Sequence, residues 1–349
     1  MKVKIIGAGS AGIHLAQACR RMDWEVGVVD NDVDALRRMR QKIYPARYGN
    51  WDDKIKLYSS EAQEAFYCNP SDIIMVATPP DVRMKLALNA IKENPKLLHL
   101  EKPLCTPDLK GVAEFEAEMK NHPDTIVTVG YDHAVSKSIC RVIDLLRDKS
   151  IGEVLTIDVE FREHWKGIFA VHTWLSGPKD SYLGYWERGG GAGNEHSHAL
   201  HLWLTLARRA WGARGKALSN VFSKLDIVPD SRSRGYDRVA RFLLSALGGD
   251  GAVVQDVVTS PPNKWARIQG DEGFIEWHAN GDPDGDVVKY ETSNRRAVEI
   301  FPKKRPDDFF YETQHYDYLI KNASKGPESP ILYHSGLEVM KILNKAYYG

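Results

Sequence analysis

Lys2-Val3-Lys4-Ile5-Ile6-Gly7-Ala8-Gly9-Ser10-Ala11-Gly12 reads as a short apolar strand, a glycine-rich turn and the start of an amphipathic helix over 11–22. Gly7 allows a tight turn, Gly9 lets backbone N–H groups come close to a pyrophosphate, and Gly12 permits close helix–strand packing. The helix N-terminus adds partial positive charge that favours phosphate. Alone, a G-x-G-x-x-G is only a glycine-rich turn, so its context decides. Here a strand precedes it, a helix follows it, and a second strand at 25–29 runs into Asp30. A carboxylate at that point accepts hydrogen bonds from a ribose 2′-OH and repels a 2′-phosphate. The stretch therefore predicts a dinucleotide site formed by Gly7, Gly9, Ser10, Ala11, Gly12, Asp30 and Asn31, with NAD favoured over NADP. Arg37 and Arg38 lie further along and read as the solvated face of the next helix.

Beyond this stretch, apolar strand patterns at 2–6, 25–29, 73–77, 97–100 and 125–129 alternate with helical patterns at 11–22, 33–42 and 82–93. Fully apolar strands separated by helices describe a parallel sheet covered on both faces. The expectation is a doubly wound α/β domain over residues 1–132. Thr78 and Pro79 follow the strand at 73–77, at the carboxyl edge of the sheet where ligands bind, although a proline-stiffened strand exit would look the same. After Gly130 the pattern changes. A helix at 137–148 leads to long β-like segments at 154–163, 238–246, 252–259, 265–269 and 274–278, separated by glycine- and aspartate-rich turns. Helices at 195–207, 309–321 and 335–346 complete the reading. Residues 133–349 are expected to form an α+β domain on a large, open, mostly antiparallel sheet.

Composition narrows the function classes. Lys plus Arg and Asp plus Glu each total 47, so bulk charge does not hold this chain to nucleic acid or anionic lipid. With 43% apolar and 27% charged residues it is a folded, soluble composition. No apolar run approaches the roughly 20 residues of a membrane span. The N-terminus has no export pattern, and Cys19, Cys68, Cys105 and Cys140 are scattered. A cytoplasmic protein without disulfide framework or metal centre is expected.

The strand at 97–100 leads into Glu101-Lys102-Pro103, and here the chain resembles the glucose–fructose oxidoreductase / inositol dehydrogenase / rhizopine catabolism family over essentially its whole length. The resemblance rests on Gly7-x-Gly9-x-x-Gly12, Asp30, Ala77-Thr78-Pro79-Pro80, Glu101-Lys102-Pro103, Val129-Gly130-Tyr131, Gly189-Gly190-Gly191 before a helix bearing His198, and Gly270-x-x-Gly273. It implies a nicotinamide-dependent oxidoreductase moving hydride to or from a hydroxyl or keto carbon of a sugar, polyol or nucleotide sugar. By the same resemblance Glu101 and Lys102 border the cofactor, and Lys102 is the catalytic lysine, a cation able to stabilise a developing alkoxide. His198 is the general acid/base, a role its near-neutral intrinsic pKa suits. The family has an aspartate one turn before this histidine, where this chain has Asn194, and Glu195 at i−3 is expected to supply the carboxylate. His201 stands where another family aspartate is common, and Ala134-Val135 replace a usual Arg-Phe.

Tyr131, Trp165, Trp174 and His201 are expected to contact the substrate. The aromatic-rich segment 164–188 suits stacking on sugar C–H faces, or equally packs a loop onto its own domain or a partner. Three histidines and a glutamate within 195–201 do not converge well enough for a metal site. Two other readings stay open: an NAD-dependent glycosidase working by transient oxidation, and a non-catalytic NAD-binding regulator. The open sheet is expected to pack against another copy, giving a homodimer or homotetramer.

Overall fold

The computed structural model describes residues 1–59, 71–172, 174–230, 233–304, 306–326 and 328–349. Cys68 lies outside them. The chain divides into two units, 1–105 with 109–132 and 306–336, and 106–108 with 133–305 and 337–349.

In the first unit, β1 (Lys2–Ile6), β2 (Glu25–Asp30), β3 (Ile55–Ser59), β4 (Ile73–Val76), β5 (Leu97–Leu100) and β6 (Ile126–Val129) form one sheet, in the order β3-β2-β1-β4-β5-β6. All five pairings are parallel. The helices are α1 (Ser10–Arg21), α2 (Val33–Arg38), α3 (Tyr44–Tyr48), α4 (Pro80–Ile91) and α5 (Val112–Met119), with a π-helical turn at Met39–Ile43. Val3, Ile5, Ile73, Ile74, Met75, Val76, Leu97, Leu98 and Leu100 are fully buried, as a strand covered on both faces requires. Each contributes about 1.5–3 kcal/mol of burial. Strand order reverses between β1 and β4, which brings the chain leaving β1 beside the chain leaving β4. The doubly wound α/β expectation for this part holds.

Helix α10 (Asp307–Lys321) joins this unit, which corrects the expectation that residues 133–349 form one body. The reason is its own pattern: Glu312, Thr313, Tyr316 and Leu319 form one buried stripe. Tyr316 Oη lies 2.7 Å from His99 Nδ1, Arg21 pairs with Asp307 at 2.6 Å, and Phe309 stacks on His14.

The second unit is built on eight strands: β7 (Val154–Arg162), β8 (Ser219–Asp230), β9 (Ser233–Ala246), β10 (Gly249–Asp256), β11 (Asn263–Gly270), β12 (Gly273–Asp282), β13 (Gly285–Thr292) and β14 (Arg296–Pro302). Their order is β14-β13-β12-β11-β7-β10-β9-β8, antiparallel except for β7 with β10. The α-helices of this unit are α6 (Lys137–Arg147), α7 (Trp165–Val171), α8 (Gly191–Glu195), α9 (His198–Trp211) and α11 (Tyr333–Tyr348, which enters this unit at Leu337). Residues 199–207 of α9 are buried without interruption. Trp203 and Trp211 donate their indole N–H groups to the carbonyls of Ile157 (2.8 Å) and Val154 (2.9 Å), tying α9 to β7. On the central strands, half-buried charged residues alternate with the core positions. Arg267 and Lys289 both pair with Glu276, and Arg162 pairs with Glu160 at 2.9 Å. Exposed apolar side chains concentrate on outer strands, at Val221, Phe222, Leu243, Val298 and Ile300. In the middle of the sheet, at Arg267, Glu276 and Lys289, cross-strand ion pairs occupy positions between the core side chains. Among the described residues, no helix is long and apolar enough to cross a membrane.

Candidate functional site

Gly7 has φ +113°, and a Cβ there would lie 2.7 Å from the Ala77 carbonyl oxygen. A Cβ on Gly12 would lie 2.0 Å from the Gly7 carbonyl oxygen. Both glycines are therefore demanded by the protein's own packing. Gly9 differs: a Cβ there would meet nothing within 4 Å. Its packing does not require glycine, and the space it leaves over the start of α1 fits close approach of a pyrophosphate. The Asp30 carboxylate accepts from Ala8 N–H at 2.7 Å and Asp32 N–H at 2.8 Å, which fixes it against the turn with lone pairs left over for ribose hydroxyls. Ser10 Oγ accepts from Arg47 at 3.0 Å, a contact that sequence reading missed because Arg47 arrives from α3. Arg37 and Arg38 pair with Asp34 and Asp32 at the surface, as a solvated face does.

Thr78 and Pro79 lie between β4 and α4. The Thr78 hydroxyl is buried with no hydrogen-bond partner among the described residues, a free polar atom next to the turn. Buried Arg83 of α4 donates to the carbonyls of Thr78 and Pro103, linking the chain after β4 to the chain after β5. Its charge has no local sequence signature, since both acceptors are backbone atoms.

Glu101 is buried beside half-buried Lys102, whose N–H it accepts at 3.2 Å, and its other oxygen lies 3.5 Å from His99 Nε2. Burial alone would raise the Glu101 pKa. The His99 contact, with the positive charges of Arg83 and Lys102, outweighs burial and holds it below the usual value. Glu312 of α10 is fully buried, and burial first, then the negative charges of Asp132 and Glu101, push its carboxyl well up. Lys102 thus stands on a buried scaffold of His99, Glu101, Arg83 and Tyr316. Tyr131, expected at the substrate, is fully buried.

In the second unit the segment expected as one helix at 195–207 is two. Helix α8 ends at Glu195 and α9 begins at His198, with Ser197 N–H bonded to the Asn194 carbonyl at 3.3 Å. Glu195 and His198 therefore belong to different helices and do not share the helix face that i,i+3 spacing in an unbroken helix would give them. Asn194 is fully buried, whereas Glu195 and His198 are partly exposed. The His198 ring lies 5.0 Å, edge-on, from His133 and 6.1 Å, stacked, from Phe161. Trp277 packs against both of these rings. His133 was not singled out from sequence and is brought here from the start of the unit. His201 is buried within α9. Trp165 is 7% exposed and packs with Ile168, Leu183, Ala192 and Val257. Trp174 is half-buried against His172.

A family model described as TrkA-N domain matches residues 3–99. No curated protein sequence matches the chain. Solved structures do. Aldose-aldose oxidoreductase from Caulobacter crescentus, complexed with glycerol, is 19% identical with a TM-score of 0.74, covering 99% of this chain and 96% of that one. An oxidoreductase from Agrobacterium radiobacter in complex with NAD+, L-tartaric acid and magnesium is 17% identical with a TM-score of 0.73, covering 99% and 95%. A 3-ketoreductase from Actinomadura kijaniata in complex with NADP is 15% identical with a TM-score of 0.70, covering 100% and 97%. At these identities the likeness speaks for the fold, and it extends through both units.

Proposed function

We propose that the chain is a nicotinamide-dependent oxidoreductase that transfers hydride to or from a hydroxyl or keto carbon of a sugar, polyol or nucleotide sugar, and that it belongs to the glucose–fructose oxidoreductase / inositol dehydrogenase / rhizopine catabolism family. The observation that carries the reading is the glycine turn, with Asp30 hydrogen-bonded onto it and space left over Gly9. Neighbours of the same fold, an aldose-aldose oxidoreductase, an oxidoreductase in complex with NAD+ and a 3-ketoreductase in complex with NADP, support it.

Gly7, Gly9, Ser10, Ala11, Gly12, Asp30, Asn31, Thr78 and Pro79 would hold the dinucleotide, with Asp30 on the ribose hydroxyls. NAD bound there supplies the hydride acceptor, and NADH the donor. Lys102, bordered by Glu101, offers an ammonium to the substrate oxygen and stabilises negative charge that develops on it. His198 takes the hydroxyl proton during oxidation and returns it during reduction. Phe161, itself backed by Trp277, keeps an apolar ring beside the imidazole, limiting the water that competes for that proton. Tyr131, Trp174 and His201 remain substrate contacts in this reading, and assembly is a homodimer or homotetramer.

The test is the absorbance of reduced nicotinamide with NAD(H) or NADP(H) and a panel of sugars, polyols and nucleotide sugars. A compound-dependent change supports the reading. NADH binding with no turnover on any compound favours the regulator instead. A second measurement addresses the cofactor. Asp30→Ala is expected to weaken NAD binding about tenfold and to improve NADP, because it removes both the ribose acceptor and the charge opposing a 2′-phosphate. Unchanged NAD affinity would remove Asp30 from the cofactor site.

A further inference from the structure

Asn194 is fully buried in α8, and its amide is wired in one direction. Nδ2 lies 2.8 Å from the Gly190 carbonyl and 3.2 Å from Tyr347 Oη of α11. A carbonyl only accepts, so the nitrogen must face Gly190, and Oδ1 faces the other way. The Tyr347 hydroxyl donates in turn to Asp237 Oδ1 at 2.5 Å, leaving its oxygen free to accept from Asn194. Asp237 Oδ2 accepts from Gly193 N–H at 2.7 Å, inside α8 itself. The fit is tight. A Cβ on Gly191 would lie 2.0 Å from Asp237 Oδ1, and one on Gly193 would lie 2.8 Å from Tyr347 Oη. Trp186 stacks on the Tyr347 ring at 4.6 Å and 6°, holding the phenol in place. Both N–H groups of Asn194 are thereby committed. Its Oδ1 is buried without a partner among the described residues, an acceptor kept ready for a donor.

We infer that Asp237, acting through Tyr347 and Asn194, is a positioning residue for the reaction: its carboxylate sets the direction of a buried hydrogen-bond chain that holds the Asn194 carbonyl oxygen as an acceptor for a substrate hydroxyl, on the segment that leads to His198. The inference rests on the oxidoreductase reading above. It also accounts for an asparagine at 194. An aspartate there would set an acceptor 2.8 Å from the Gly190 carbonyl and a second buried carboxylate one hydroxyl away from Asp237.

The chain depends on the charge of Asp237. Burial pushes its carboxyl up to about 7, against the hydrogen bonds from Tyr347 and Gly193. When it is protonated, Asp237 can donate toward Tyr347, and the direction of the chain from Asn194 through Tyr347 to Asp237 is no longer fixed. Among the described residues the titratable group bonded to Asp237 is Tyr347 of α11, held far above neutral by burial and by the charge of Asp237. The other packed positions, Gly193 and Asn194 of α8, Gln255 of β10 and Ile227 of β8, do not titrate. Arg238, next on β9, is half-exposed and paired with Asp226. This contribution to turnover is therefore present above pH about 7 and lost as pH falls through it.

The experiment compares wild type, Tyr347→Phe, Asp237→Asn and Asn194→Asp on a compound the wild type turns over, with circular dichroism checking the fold. Tyr347→Phe keeps the ring on Trp186 and removes one oxygen, so it reports on the chain even if a change at Asp237 unfolds the unit. The expected result is a fall in kcat of about tenfold in Tyr347→Phe, the worth of one buried hydrogen bond, with NADH affinity retained. Asn194→Asp falls at least as far, and Asp237→Asn loses the acidic limb near pH 7. Tyr347→Phe with wild-type kcat and wild-type pH profile overturns the inference alone. A wild type that turns over no compound overturns the oxidoreductase reading, and the inference with it.

Discussion

Lys102→Met lowers kcat by about 10²–10³-fold, the usual consequence of removing one preorganised donor from a developing oxyanion. Methionine keeps the length and much of the volume of the lysine stem but offers no charge and no donor. Glu101 keeps His99 and the backbone N–H of residue 102, so the scaffold beneath is expected to survive. The signature of an interaction made in the transition state is equal loss in kcat and kcat/KM, with NADH affinity nearly unchanged by fluorescence titration. A rise in KM alone would assign Lys102 to ground-state binding. No change in either parameter would remove it from the chemistry.

Arg83→Met carries the largest expected effect on stability, about 3–5 kcal/mol, read as a lower urea midpoint. The guanidinium is 2% exposed and serves the carbonyls of Thr78 and Pro103. Removing it strands both acceptors, each costing about 1–3 kcal/mol. It also withdraws a positive charge that helps keep Glu101 ionised. Because Arg83 joins the segment bearing Thr78 to the segment bearing Lys102, kcat/KM is expected to fall as well, by up to about 10²-fold where positioning is lost. Arg83→Lys keeps the charge but cannot serve two carbonyls with one planar fork, and should recover only part of the stability. Wild-type midpoints in both variants would mean the carbonyls find other donors.

Much of this was legible in the sequence where the determinants are local. The glycine turn and Asp30 depend on residues adjacent along the chain, and the apolar strands at 73–76 and 97–100 declare a parallel sheet by lacking alternation. What supports the site was not legible, because it comes from far away. Tyr316 reaches His99 from more than 200 positions later, and Arg83 works through backbone acceptors. Tyr347 reaches Asp237 across 110 positions. The break between α8 and α9 was missed because His196 and Ser197 carry no proline or glycine, and the helical apolar period passes over them. Strands β8, β13 and β14 escaped for the opposite reason. They combine charged and apolar residues along a half-exposed sheet, so their alternation is diluted by side chains that pair across strands, such as Lys289 with Glu276.

The most direct test follows the hydride. A substrate found on the panel is prepared with deuterium on the carbinol carbon and oxidised by the wild-type protein with NAD. The expected result is that the label is recovered in the reduced nicotinamide released to solution and that turnover slows relative to the unlabelled compound. Label returned to the product with no net reduced nicotinamide would contradict it and turn the reading toward the glycosidase that uses its cofactor only transiently.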